Sequence, residues 1–241
     1  MPDHLEIDSI IRSNVALITG NPDRVSTIIS FLKNPKLLNS KRGLLCYEGD
    51  LNNPILVAAT GMGAPATAIV VEELIELGIK AIVRVGSCGS IQDTVLAGDI
   101  VVPIACVRDE GTSKQYIESI FPAVADFTMH NMLIEKLQSF PIKFHTGIVH
   151  CKDAYYSERL EKQIDPSTIE RRWNMWRQSG VLATEMESSA IFVLGSIRSI
   201  KTASILVAVD DVEDPSILVN AMMTAIETSL ECLDIVSNLI K

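Results

Sequence analysis

Three short apolar runs, Val15 to Thr19, Pro54 to Thr60 and Ala81 to Val85, each stop at a stretch that carries glycine. The first is closed by Gly20-Asn21-Pro22-Asp23, after which Arg24 to Leu32 takes up helical spacing. The second leads through Gly61-Met62-Gly63-Ala64-Pro65 into a predicted helix, Ala66 to Leu77, that ends at Gly78 with Glu72, Glu73 and Glu76 outward. The third runs into Gly86-Ser87-Cys88-Gly89-Ser90. Continuous apolar strands alternating with helices belong in a sheet covered on both faces, and ligands of such sheets sit at the carboxyl ends of the strands.

The rest of the chain keeps this alternation. Asp99 to Pro103, Lys143 to His150 and Lys201 to Val209 read as further strands. Helices are expected near Asn131 to Gln138, over Thr168 to Gln178 with Trp173 and Trp176 on one side, from Glu185 through Ile197, and over Asn220 to Ile240. Arg108 to Phe127 is irregular and long for a connection, which makes it a functional-loop candidate. Pro22, Pro65 and Pro122 are placed in loops. The expectation is an α/β fold, a single domain over residues 1–241 with a central mixed, mainly parallel β-sheet flanked by helices.

Composition narrows the partners. The chain of 241 residues is 47% hydrophobic but only 5% aromatic, so its core is aliphatic. A formal net charge of −9 with no basic stripe argues against a nucleic-acid partner, and no apolar run is long enough for a membrane span. Five dispersed cysteines without a CxxC pair suit reduced thiols in a cytoplasmic protein. On so acidic a chain, an anion site must be made locally by a few arginines and backbone N–H groups.

Two arginines stand where such a site would form. Gly20 to Arg24 joins a strand to a helix, so free N–H groups, a positive helix end and a guanidinium converge; an ordinary turn with a solvated Arg24 is the alternative. Arg84 lies inside an apolar run, where an unpaired cation is costly, and it must meet either a bound anion or an internal carboxylate. Ser87 and the backbone of Gly86 to Gly89 would add donors. Glu185 and Glu187, two apart at a strand-to-helix junction, are expected to face one site and to suit the vicinal diol of a ribose, although an acidic first helical turn would place one of them equally well. Asp210-Asp211 ends a strand, where a carboxyl could protonate a leaving base or simply cap a turn. Gly61-Met62-Gly63-Ala64-Pro65-Ala66 also fits a dinucleotide fingerprint, so an NADP oxidoreductase with Arg84 at the 2′-phosphate is a rival. Pro65, and the lack of a fitting acid at the end of the second strand, count against it.

Taken together, Gly20-Asn21-Pro22-Asp23-Arg24-Val25, Thr60-Gly61-Met62-Gly63, Arg84-Val85-Gly86-Ser87-Cys88-Gly89, Phe121 to Phe127 and Glu185-Met186-Glu187-Ser188 resemble the nucleoside phosphorylase family of uridine phosphorylases and hexameric purine nucleoside phosphorylases. Cys151 to Tyr156 and the Trp173, Trp176 helix lean toward the uridine branch. The resemblance implies phosphorolysis of a ribonucleoside, uridine first, to free base and ribose 1-phosphate. It implies that Gly20, Arg24, Arg84 and Ser87 bind phosphate with Arg42 of a neighbouring subunit, and that Met186 and Glu187 hold the ribose with a neighbour's His4. Read alone, His4 would be a solvated terminal side chain. Sites shared in this way imply a homo-oligomer, a dimer or a hexamer built as a trimer of dimers.

Tyr155 matches an aromatic near the base, and Arg159, Gln163 and Glu185 are the further base-side candidates, because the Gln-x-Arg pair of uridine enzymes has no clean match after Tyr156. Asn21 stands where the family usually has Asp, and Asp210-Asp211 stands where purine enzymes place a general acid and uridine enzymes an Arg. An inosine or adenosine phosphorylase with Asp210 as acid is therefore the nearest alternative. Gly43 replaces a Glu that helps bind potassium in some uridine enzymes, so no metal is expected, and no cofactor besides the co-substrate phosphate. A non-catalytic nucleoside-binding protein, and a hydrolase using water, are further alternatives; paired Arg24 and Arg84 argue against the latter.

Overall fold

In the first strand, β1 (Val15–Thr19), Val15 and Leu17 join one hydrophobic layer while Ala16 and Ile18 join the other, which is the period of two expected of a strand buried on both faces. The computed structural model describes residues 2–210, 212 and 214–240. After β1 come α1 (Pro22–Ile29), β2 (Lys33–Asn39), β3 (Cys46–Asp50), β4 (Pro54–Ala59), α2 (Ala64–Glu76), β5 (Ala81–Ser90), β6 (Ile100–Asp109), α3 (Thr112–Tyr116), β7 (Ala123–Val124) and α4 (Phe127–Leu137). The remainder is β8 (Phe144–Lys152), two 3-10 turns (Tyr155–Glu158 and Leu160–Lys162), α5 (Pro166–Gln178), β9 (Ala183–Glu185), α6 (Ser188–Arg198), β10 (Lys201–Ala208) and α7 (Ser216–Leu239).

All ten strands form one mixed sheet in the order β10-β6-β8-β9-β5-β1-β4-β3-β2, with β7 on β6. Its longest ladders, β5 with β10 and β6 with β8, are parallel, as are β1 with β4 and β5. Because β10 also pairs with β5, the strands β5, β10, β6, β8 and β9 close into a ring, and β5 is shared between that ring and the open sheet. Helices α1, α4 and α7 pack on one face through Val25, Met129, Leu133 and Leu233. Helices α2 and α6 cover the other through Val70, Leu74 and Ile191 to Leu194.

Several expectations change. The third strand does not stop at Val85 but continues to Ser90, because Gly86, Ser87 and Cys88 pair with Leu206, Val207 and Ala208 of β10. The helix expected from Glu185 starts at Ser188, since Glu185 pairs with Cys151 as the end of β9. Arg108 to Phe127 is not irregular throughout: it holds the end of β6, α3 and β7, and the Arg108 guanidinium donates to the carbonyls of Ile117, Glu118 and Phe121. Pro22 and Pro65 lie in the first turns of α1 and α2 rather than in loops, where a missing N–H costs no helical bond.

Glu73 is not outward. It is 7% exposed and accepts the backbone N–H groups of His4 and Leu5 as well as the His4 ring at 2.6 Å. Burial alone would raise its pKa, but these donors hold the carboxyl below its usual range. A depressed carboxyl contributes stability above its unfolded pKa of about 4.3 and loses it as pH falls through the folded value. Glu73→Ala is expected to cost about 1–3 kcal/mol in urea unfolding at neutral pH, by orphaning the two N–H groups. The loss relative to wild type should shrink toward pH 3; an unchanged denaturation midpoint at neutral pH would remove the anchoring role.

Candidate active site

The parallel strands β1, β4 and β5 bring the first three glycine-bearing stretches side by side. Thr60 N–H bonds the Thr19 carbonyl at 2.8 Å, and a Cβ on Gly20 would lie 3.1 Å from the Gly61 carbonyl and 4.0 Å from Arg84 Nη1. Arg24, on the first turn of α1, is half-buried beneath this opening and donates to Thr19 Oγ1 at 3.0 Å and the Val85 carbonyl at 3.3 Å. Asn21 caps that helix by accepting the Asp23 N–H at 2.9 Å, so Asn serves the turn as Asp would. Burial, and then the like charge of Arg84, lower the Arg24 pKa to about 10. Two guanidinium groups close enough to oppose each other in a half-dry site make a strong anion receptor.

Arg84 is 4% exposed, and the carboxylates of Glu185 and Glu187 supply its counter-charge. Burial would lower its pKa, but Glu187 and then Glu185 more than offset that and keep it raised. Of the two readings of Arg84 the structure shows the internal carboxylate partners, and it places a second cation, Arg24, near enough to be felt.

Both carboxylates reach one group, Arg84, but the two are not equivalent. Glu185 turns onto the start of α6, accepting the N–H groups of Glu187 at 2.9 Å and Ser188 at 3.0 Å and the Ser188 hydroxyl at 3.0 Å, because a carboxylate is favoured where a helix leaves its first N–H groups unpaired. Glu187 has fewer ties: the Arg84 guanidinium and the Gly63 N–H at 2.6 Å. Gly63 holds φ at 85°, the left-handed region that suits glycine, and this presents its N–H to Glu187 at the start of α2. The glycines read as a dinucleotide fingerprint therefore hold a carboxylate and border Gly20. Met186 is half-buried between the two acids.

Ser87 is half-buried on β5 opposite Val207, but the backbone of Gly86 to Gly89 is not the donor cradle expected, since the β10 and β9 ladders engage it. Gly86 has a different use. A Cβ there would fall 2.6 Å from Arg84 Nη2 and 2.7 Å from its Cζ, so the guanidinium folds over a bare backbone. Gly86→Ala is expected to displace Arg84 and lower turnover about 10²-fold, the scale of losing one charge-stabilising donor. Wild-type turnover by the folded variant would show that the guanidinium does not need that position.

Asp210 is exposed at the end of β10 and accepts the Ser90 N–H at 3.1 Å and its hydroxyl. The buried Cys88 thiol is pushed up by burial, then by Glu185 and Asp210, against the opposing charge of Arg84. Asp211 lies outside the described residues. Tyr155 is 58% exposed in the first 3-10 turn, edge-on to Tyr156. Arg159 stacks on the Tyr156 ring at 4.5 Å, and Gln163 donates to the carbonyls of Tyr156 and Arg159, so both are engaged with their own loop. His4 is tied to Glu73, away from Arg84. Arg42 is exposed in the turn Lys41–Gly43 with φ at 56° and makes no hydrogen bond or ion pair to a described residue.

Two clefts lie elsewhere. One of about 430 Å³ is lined by Phe31, Leu51, Glu227, Glu231 and Asp234, and its acidic wall suits no anion. Among the described residues no group of three or more His, Cys, Asp or Glu could hold a metal ion, and no helix is long and apolar enough to cross a membrane. The roles of Gly63, as donor to Glu187, and of Gly86, as room for the Arg84 guanidinium, were not read from the sequence; a glycine close to an arginine inside an apolar strand was the available signal for Gly86.

Comparison with known proteins places the chain in a family. The profile of the Phosphorylase superfamily matches residues 14–241. A uridine phosphorylase of Treponema pallidum is 35% identical over 208 residues, 86% of this chain and 81% of that one. A guanosine phosphorylase of Halorubrum lacusprofundi is 30% identical, with 84% and 80% covered. The crystal structure of uridine phosphorylase from Vibrio fischeri ES114 superimposes with a TM-score of 0.89 at 32% identity, covering 97% of each chain. With this agreement running from β1 to the end of α7, the chain belongs to the phosphorylase superfamily.

Proposed function

We propose that this chain is a uridine phosphorylase, a pentosyltransferase that splits uridine with inorganic phosphate into uracil and ribose 1-phosphate. The observation that carries the reading is the buried Arg84 beside Arg24, with Glu187 held by an ion pair to Arg84 and by the Gly63 N–H. Phosphate enters over Gly20 onto Arg24 and Arg84, with Ser87 as a further donor, and displaces Glu187. The freed carboxylate then accepts the ribose hydroxyls beside Met186.

A phosphate oxygen attacks the anomeric carbon as the bond to N1 of uracil breaks. That bonding pair leaves on the base, which takes a proton from solvent or a nearby acid. The two guanidinium groups hold the nucleophile while the sugar passes through a cationic state, a positioning effect of at most ~7–11 kcal/mol. Tyr155 lies against the base, with Arg159 and Gln163 as the polar groups of the same loop and Glu185 holding the junction behind it. No metal or other cofactor is required. A neighbouring subunit supplies His4 and Arg42, so the working unit is a dimer or a trimer of dimers. The five cysteines are all free, in keeping with a cytoplasmic location.

A purine reading has one specific observation behind it, Asp210 just past the end of β10 with its carboxylate on Ser90, the last residue of β5. Purified protein is incubated with uridine, inosine and adenosine, each with and without phosphate, and free base is followed. Uracil release that requires phosphate supports the proposal. Phosphate-dependent hypoxanthine or adenine release moves the chain to the purine branch, with Asp210 as the acid. Release without phosphate would overturn phosphorolysis.

A further inference from the structure

Lys152, the last residue of β8, is 5% exposed, and an ammonium so far from water needs compensation. It finds three partners in two separate segments. Glu158, in the first 3-10 turn, pairs with it directly, and the ammonium stands 5.8 Å from the Tyr155 ring centroid and 5.2 Å from that of Trp173 in α5.

Those segments have little else to fix them. Neither 3-10 turn nor α5 contains a buried residue, so no hydrophobic core anchors Tyr155 to Gln178. Helix α5 docks instead by polar and aromatic contacts. His150 lies between Trp173 at 5.4 Å and Trp176 at 5.6 Å and bonds Asp109 and Thr184, while Arg172 pairs with Asp109. Lys152 is the group that ties the turn carrying Tyr155 to this docked helix.

We propose that Lys152 is a positioning residue for the base half of the nucleoside: paired with Glu158 and set between the Tyr155 and Trp173 rings, it holds Tyr155 where the base stacks. The inference rests on the reading of Tyr155 as the base-side aromatic. Lys152 is not a catalytic residue, because its ammonium is enclosed by these partners rather than presented to a reacting atom.

The test compares wild type, Lys152→Met, Lys152→Arg and Glu158→Gln, using whichever nucleoside the wild type cleaves. Lys152→Met is expected to raise the nucleoside KM about 10-fold, with kcat and the phosphate KM within about twofold, as for lost uniform binding. Lys152→Arg should recover part of the loss, and Glu158→Gln, a milder change in a half-exposed side chain, should shift KM in the same direction. Both tryptophans of the chain lie in α5, so tryptophan emission, excited beyond the tyrosine absorption band, reports on this docking. Nucleoside titration should change wild-type emission, and the midpoint should move with KM in the variants. A wild type that cleaves its nucleoside while both Lys152→Met and Glu158→Gln keep its KM would overturn the Lys152 assignment. So would a fall in kcat and phosphate affinity in step with nucleoside affinity, which marks a merely structural role. A wild type that releases base from no nucleoside would instead fail the functional reading itself.

Discussion

Arg84→Met removes phosphate-dependent base release, with a loss of at least ~10³-fold, at the upper end of what one charge-stabilising group contributes. The same change destabilises the protein, by about 3–5 kcal/mol, because it leaves two buried carboxylates without their cation. Glu187 is 6% exposed and Glu185 4%, so neither can turn to water for compensation. Low activity alone would therefore not separate chemistry from unfolding. The double variant Arg84→Met with Glu187→Gln does, since it removes a negative charge together with the positive one. Its thermal midpoint should recover toward wild type while turnover stays absent. Wild-type phosphate-dependent turnover in Arg84→Met would remove this guanidinium from the phosphate site.

Glu187→Gln should pull the two substrates in opposite directions. Glu187 pairs with Arg84, so in the proposed reading phosphate competes with it there; a neutral amide competes less, and the phosphate Kd is expected to fall severalfold. The nucleoside loses a charged hydrogen-bond partner, about 1.5–3 kcal/mol, which corresponds to ~10–150-fold in kcat/KM. Isothermal titration with phosphate and steady-state kinetics with nucleoside measure the two effects separately. Equal weakening of both would mean that Glu187 serves the architecture of the site and does not exchange partners.

Much of this was legible in the chain because apolar runs and glycine stops are strong signals. β1, β4 beyond Pro54 and the first half of β5 are buried throughout and were read directly. Strand β2, Lys33–Asn39, was not, because nearly every side chain in it is exposed and an edge strand of that kind carries no alternation. The extension of β5 to Ser90 was hidden because Gly86, Ser87 and Gly89 have no strand preference of their own; β10 imposes it. Arg84 could be found because a lone cation in an apolar strand demands a partner. Which carboxylate would turn to the helix and which would lie on Arg84 and Gly63 could not, since Glu185 and Glu187 differ only in where α6 begins, and that boundary falls between them and Ser188. Glu73 was misplaced because outward and inward faces of α2 were assigned from its charges, while the backbone N–H groups it serves come from a segment some seventy residues away in sequence.

The shallow attachment of the stretch from Tyr155 to Gln178 bears on how such a protein can change over evolutionary time. Substitutions there alter few contacts with either hydrophobic layer, so their effects on folding should be small and nearly additive with those of core positions. In the proposed reading that stretch meets the base while β1, β4, β5 and α6 carry the phosphate and the sugar. Recognition could then drift without endangering the scaffold, which offers a physical route by which relatives named for uridine and for guanosine share about the same fraction of their residues with this chain.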